Sequence, residues 1–268
     1  MLLTMLSIIN TVRDADDKNK SYKNKKDISD LFKKTSDDLY PFRPVYLNWF
    51  NSTYLRPRRA DKKSLLDLRN EYVIIMPVNA KEDPQFIFEL YSDANLVTVC
   101  DKGDERDFCD VMVDPINGYW DLPAKTFDMF NKLCEGIHEY KVFIKMDFDI
   151  FINKDYLYDV ITFMAENSDK RIYFGDNNHV GSEFKQPVMN GKIYAITSLI
   201  LQDYCSCDIE KPGTGLEDYW FGYTIHNCTD SKNYTLADDI FQYKSHEKEI
   251  FHKKYGDYPV KISLGTKR

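Results

Sequence analysis

The run Lys141-Val-Phe-Ile-Lys-Met-Asp147-Phe-Asp149-Ile-Phe-Ile-Asn153 constrains this chain more than any other stretch. Lys141 to Lys145 have the character of a strand, and two carboxylates spaced i and i+2 follow at once. Asn153 then stands where a helix can open. A strand ending in Asp-x-Asp delivers acidic oxygens to the edge of a sheet. Mg²⁺ and Mn²⁺ favour such hard donors, taking one or two carboxylates from the protein and completing the shell with substrate phosphates. Asp-x-Asp also occurs by chance in solvated loops, so its context decides what it means.

That context is a chain of 268 residues, enough for one large domain or a domain with an appended segment. The formal charge of −7 argues against bulk nucleic-acid binding, which needs a basic surface to displace counterions from phosphates. Six cysteines (Cys100, Cys109, Cys134, Cys205, Cys207, Cys228) fall outside any C-x-x-C zinc pattern, and an even count allows up to three disulfides. Cys207 with Cys228, flanking the Glu-Asp loop discussed below, is the one pairing singled out. Sequons at Asn51, Asn227 and Asn233 join the cysteines in pointing toward a secretory lumen.

Residues 1–70 are expected to form an apolar stub, Met1 to Ile9, followed by a charged, stem-like segment. The stub is too short to span a bilayer, which takes roughly twenty apolar residues. It reads as the remnant of a longer anchor or as a short dangling segment. Residues 71–268 are expected to form the catalytic domain. Tyr72–Pro77 and Asn95–Cys100 read as strands, with a helix around Pro84 to Tyr91 between them. Asp121 to Cys134 reads as a helix with Pro123 in its first turn, where a missing N–H does no harm. The strand into Asp147 comes next, then a helix capped by Asn153 and running to about Glu166. Arg171–Gly175 and Lys192–Ile196 read as further strands, and Glu217 to His226 as a helix entered from the loop Pro212-Gly-Thr-Gly-Leu216. Strands alternating with helices predict a mixed sheet flanked by helices, an α/β fold. Ligands in such sheets bind at the carboxyl ends of strands, where Asp147 and Asp149 would lie. The second acidic pair, Glu217-Asp218, opens a helix, where backbone N–H groups tend to keep a carboxylate ionised and fit to act as a general base.

Four segments in order resemble one family. Lys145-Met-Asp-Phe-Asp-Ile-Phe-Ile-Asn153 is similar to the Lys-x-Asp-x-Asp-x-Phe-Val-Asn segment of the β-1,3-glycosyltransferases of glycosyltransferase family 31, which includes fringe. Gly215-Leu-Glu-Asp-Tyr-Trp-Phe-Gly222 resembles their Glu-Asp-Val motif. Asp107-Phe-Cys-Asp110, with Tyr119-Trp-Asp-Leu-Pro-Ala-Lys125-Thr126, resembles their Asp-Phe-x-Asp…Tyr-x-Asn-Leu-Thr-x-Lys-Thr segment. Tyr173-Phe-Gly175 and Gly191-Lys-Ile-Tyr-Ala-Ile-Thr-Ser198 occupy the places of their Tyr-x-Gly and Gly-Tyr-Val-Leu-Ser segments. The family's Arg-x-x-Ile-Arg-x-Thr-Trp segment has no counterpart near Asn79 to Glu89.

The resemblance implies a GT-A fold, a single Rossmann-like domain that uses a UDP-sugar, in a type II membrane protein of the Golgi or ER with its catalytic domain in the lumen. It implies an inverting hexosyltransferase acting on a glycan, glycoprotein or glycolipid hydroxyl. Asp149 would ligate Mn²⁺ (or Mg²⁺), Asp147 would contact the ribose or a metal-bound water, and His246 would complete the metal site, with His252 as the reserve. Lys125 and Glu217 would belong to the UDP-sugar site. Asp218 would be the general base. Trp220, Phe221, Tyr119 and Trp120 are candidates for stacking on sugars, against burial in the core. Two rival readings stand beside this one. The first is a two-metal phosphohydrolase or nucleotidyltransferase using Asp147, Asp149 and Asp218. The second is a non-catalytic relative acting as a chaperone or glycan binder.

Overall fold

A computed structural model of the chain describes residues 64–114, 118–136, 139–178, 188–230, 240–245 and 249–252. A seven-stranded sheet runs through them in the order β3-β2-β1-β4-β7-β6-β8. Its strands are β1 (Tyr72–Pro77), β2 (Leu96–Asp101), β3 (Val111–Val113), β4 (Val142–Met146), β6 (Ile172–Asn178), β7 (Val188–Thr197) and β8 (Phe241–Lys244). A separate two-stranded ribbon pairs β5 (Ile150–Ile152) with β9 (Ile250–His252). Five helices accompany these strands: α1 (Gln85–Leu90), α2 (Leu122–Gly136), α3 (Lys154–Glu166), α4 (Ser198–Cys205) and α5 (Glu217–Asp230). The sheet is parallel except at β7, which runs antiparallel to both β4 and β6. This is the mixed α/β architecture, a sheet flanked by helices, that the alternation of elements predicts.

The period of two along each strand divides the core into two layers. Tyr72, Ile74 and Met76 of β1, with Val142, Ile144 and Met146 of β4, pack against Ile87, Tyr91 and the apolar face of α3. Val73, Ile75 and Phe143 face the other way, onto Met129, Phe130 and Leu133 of α2, Leu201 and Tyr204 of α4, and Phe221 and Ile225 of α5. Both central strands are therefore covered on both sides, which explains why they read as unbroken apolar runs. Asn153 caps α3, its side chain accepting from the Asp155 N–H at 3.0 Å.

The chain leaves β1 toward β2 and β3, then returns through α2 to lay β4 on the other side of β1. That reversal falls between the carboxyl ends of β1 and β4, the place where sheets of this kind hold ligands. Three disulfides join the described residues: Cys100–Cys109, Cys134–Cys205 and Cys207–Cys228, the last as singled out from the sequence. No helix among the described residues is long and apolar enough to cross a membrane.

Candidate active site

The two acidic motifs, seventy residues apart in sequence, meet at the carboxyl end of β4. Lys145 is the link. Alternation along β4 turns its side chain to the α2/α5 face, where it is 4% exposed. Its Nζ donates to Asp147 Oδ1 at 2.8 Å, to the Gly191 carbonyl, and to Glu217 Oε2 at 3.5 Å. A buried ammonium needs such partners, because desolvation alone would expel or neutralise it. Tyr194 of β7 donates its hydroxyl to Glu217 Oε1 at 2.6 Å, and Thr126 of α2 donates to the same oxygen at 3.3 Å. Glu217 is thus held from β4, β7 and α2 together. The backbone of β7 must come close for this to happen. A Cβ on Gly191 would stand 2.8 Å from Glu217 Oε2, so any side chain there would displace the Glu217 carboxylate from its hydrogen bonds.

Asp218, one residue further into α5, is half-buried. Its Oδ2 accepts from the Gly191 N–H at 3.3 Å and its Oδ1 from the Tyr219 N–H at 3.0 Å. Asp147 is aligned by its own backbone, whose N–H donates to the Lys192 carbonyl at 3.0 Å. Between Asp147 and Asp149 the Phe148 ring is buried in the core layer under α3, which anchors the turn. Asp149 is itself buried.

The structure corrects one electrostatic expectation. Placement at a helix N-terminus was expected to keep the Glu217-Asp218 pair ionised. For Glu217 the opposite influence dominates: burial pushes its carboxyl above the usual range. The Lys145 charge and the Tyr194 hydrogen bond pull it back only in part, and the neighbouring Asp147 and Asp218 push it further up. Burial likewise raises the Tyr119 hydroxyl, with Asp218, Asp147 and Glu217 adding to the effect, so this phenol lies in the field of the same three carboxylates.

Lys125, expected at the UDP-sugar site, is buried at the same edge of the sheet. Its Nζ donates to Asp101 Oδ1 at 2.7 Å and to the Val78 carbonyl at 3.0 Å, tying the ends of β1 and β2 together. Of the four candidate aromatics, Phe221 belongs to the core, stacked on Tyr194 with centroids 4.6 Å apart. Trp220 is half-buried against the same layer. Tyr119 and Trp120 are open to solvent. His246 lies outside the described residues. His252, the reserve, is in β9, whose register sets it opposite Ile150, the residue next to Asp149.

Asp147 and Asp149 offer carboxylate oxygens, donors that suit Mn²⁺ or Mg²⁺. Among the described residues the one group of three His, Cys, Asp or Glu ligand atoms within 4.8 Å of one another is Cys100, Asp104 and Cys109. Its two sulfurs are joined in a disulfide, which removes them as ligands. Asp147, paired with Lys145, and Asp149 are thus the carboxylates beside β4 that would hold such a cation, with substrate oxygens completing its shell.

Lys145, Gly191, Tyr194 and Thr126 all stand inside the resembled segments, with no role of their own legible in the sequence. A lysine inside an otherwise apolar strand was the available signal, since such a charge must find a buried partner.

No family model matches the chain, and no curated protein matches it. Solved structures give partial likenesses. TarS of S. aureus is 14% identical with a TM-score of 0.40, over 66% of this chain and 35% of that one. A 4-diphosphocytidyl-2C-methyl-D-erythritol synthase from Anaerococcus prevotii is 9% identical with a TM-score of 0.40, over 73% and 96% of the two chains. The mannosyltransferase PcManGT from Pyrobaculum calidifontis, solved with GDP-Man and Mn²⁺, is 11% identical with a TM-score of 0.39, over 82% and 67%. Likeness at this level carries no argument about chemistry, and the fold class above rests on the sheet itself.

Proposed function

We propose that the chain is a metal-dependent inverting hexosyltransferase, moving a sugar from a UDP-sugar to a glycan or glycoconjugate hydroxyl. The observation that carries this reading is the joining of Asp147-x-Asp149 to Glu217-Asp218 through Lys145 at the switch point of the sheet. The resemblance to family 31 supports it independently, through motif order and spacing.

On this reading Asp218 takes the proton of the acceptor hydroxyl. The acceptor oxygen forms its bond to C1 of the donor sugar, the C1–O bond to the diphosphate breaks, and UDP leaves with the electron pair. Attack opposite the leaving group inverts the anomeric centre. Backbone N–H groups of Gly191 and Tyr219 hold the Asp218 carboxylate in place, which favours general-base action. Asp149, with Asp147, would hold Mn²⁺ or Mg²⁺, which when bound stabilises negative charge on the departing diphosphate as a Lewis acid. Lys145 steadies Asp147 and Glu217 against each other. Glu217, buried behind Asp218, orients the loop rather than reacting. A lumenal location accords with the three disulfides and the sequons.

The test is a donor screen that measures UDP release from UDP-galactose, UDP-N-acetylglucosamine and UDP-glucose with Mn²⁺, in the parent and in Asp149→Ala. Turnover of one donor that the variant loses together with Mn²⁺-dependent UDP binding is expected. UDP binding of equal strength and equal metal dependence in the variant would remove Asp149 from the site.

A further inference from the structure

Among the described residues six large apolar side chains are exposed, and three of them border the site. Tyr119 is 54% exposed and Trp120 59%, on the short 3₁₀ turn that leads into α2. Leu216 is the third, immediately before α5. The Gly215 N–H donates to the Trp120 carbonyl at 2.8 Å, so the loop ahead of Glu217-Asp218 is fastened to this turn. The Thr126–Glu217 hydrogen bond fastens the helices that follow them, α2 and α5. The two rings meet nearly at right angles, 81° apart with centroids at 5.6 Å. They form an edge-to-face pair whose outer surfaces stay open to solvent, and a Cβ added at Gly118 or Gly213 would meet nothing within 4 Å.

We infer that the Tyr119–Trp120 corner, with Asp121 beside it, is the subsite that holds a neutral hexopyranose of the acceptor next to Asp218. An indole left open to water is unfavourable unless something covers it, and amphipathic aromatics are the residues that serve such partly wet contacts. A pyranose ring presents C–H groups on its faces and hydroxyls at its edge. One aromatic face takes the former, and the Asp121 carboxylate accepts from the latter. The Tyr119 hydroxyl lies in the field of Asp218, Asp147 and Glu217, which sets the corner at the mouth of the acidic cluster. That field, in a chain of formal charge −7, disfavours sialylated or uronic acid glycans and selects neutral sugars. The inference rests on the transferase reading for the word acceptor, but not for the existence of the binding site.

The experiment compares the parent with Tyr119→Ala/Trp120→Ala by saturation-transfer NMR. The ligands are methyl β-galactoside, methyl N-acetyl-β-glucosaminide and a methyl sialoside, and Mn²⁺-dependent UDP binding is measured alongside by calorimetry. A neutral glycoside should bind the parent and weaken about tenfold or more in the double variant, the usual scale for an exposed tryptophan that anchors a ligand. UDP binding should not change, and Trp120→Phe should recover much of the loss. Unaltered glycoside binding in the double variant, binding of the sialoside alone, or no neutral glycoside bound by the parent would each overturn the inference. Glycoside binding that depends on Trp120 in a protein that releases no UDP would leave the subsite standing and remove the transferase.

Discussion

At the scale of single residues, Glu217 and Asp218 are neighbours in sequence with opposite surroundings. Asp218 is half-buried with both oxygens aligned by backbone N–H groups, whereas Glu217 is buried among Lys145, Tyr194 and Thr126. Asp218→Asn keeps the shape of the loop but accepts no proton. If Asp218 is the proposed general base, transfer should fall by at least about a hundredfold, the lower end for such a group. UDP-sugar binding should stay within a few-fold, so the loss appears in kcat. Transfer at near-parental rates would place the base elsewhere. Glu217 makes a different prediction, through pH. Its folded-state pKa is raised above the ordinary 4.5, so the folded protein holds this proton more tightly than the unfolded chain. As pH climbs through the folded value, the parent must ionise a buried carboxyl, and the stability linked to that proton is lost. Glu217→Gln does not titrate. The melting temperature of the variant relative to the parent should therefore rise from about pH 4 to about pH 8. A difference that stayed flat would mean the carboxyl titrates alike in both states.

At the scale of elements, the position of α5 decides where the acidic pair stands, and Gly222 decides how close α5 comes to β7. A Cβ at residue 222 would lie 2.7 Å from Val188 Cγ1 and 3.2 Å from Val188 Cα. The second contact is with backbone and has no rotamer to yield. Alanine would gain about 1 kcal/mol of helix propensity over glycine, but overpacking of this kind costs about 1–3 kcal/mol. Gly222→Ala should lower the melting temperature, and by lifting the helix start should also weaken the Tyr194–Glu217 contact. A variant as stable as the parent would show that α5 slides freely on the sheet. Gly191 of β7 matters for a different reason: it leaves room for the Glu217 carboxylate.

At the scale of the whole molecule, the disulfides tie together what the sheet alone leaves separate. Cys134–Cys205 joins α2 to α4 across 71 residues of sequence, and Cys207–Cys228 joins the end of α4 to α5 across 21. Together they bracket the α2/α5 layer that carries Thr126, Glu217 and Asp218. In the chain-entropy view the longer loop contributes about 4 kcal/mol. Cys134→Ser/Cys205→Ser should therefore destabilise more than Cys100→Ser/Cys109→Ser, whose loop spans 9 residues. Thermal melts of the two double variants, each against the parent, check this order. The reverse order would mean the long loop is already constrained in the unfolded chain.

Much of this was legible in the residues themselves. Strands β1, β2 and β4, the α2 and α3 helices and the start of α5 follow from apolar runs, a first-turn proline, a capping asparagine and an acidic helix start. Each of these acts over a few residues, so sequence carries it. Strands β3, β5 and β9 are three residues long, too short to show a period, and α4 follows β7 with no break between them. The candidate site divides in the same way. Asp147, Asp149, Glu217 and Asp218 announce themselves through charge and spacing. That Lys145 joins them, that Tyr194 and Thr126 hold Glu217, and that Phe221 is core while Trp120 is open were decided only by folding. In the seven-stranded sheet the one strand that runs against its neighbours, β7, brings Gly191 and Tyr194 against a helix start far beyond β4 in sequence. Burial then sets the charge preference of Glu217 against its own helix position, because desolvation depends on everything packed around a group and not on its neighbours in sequence.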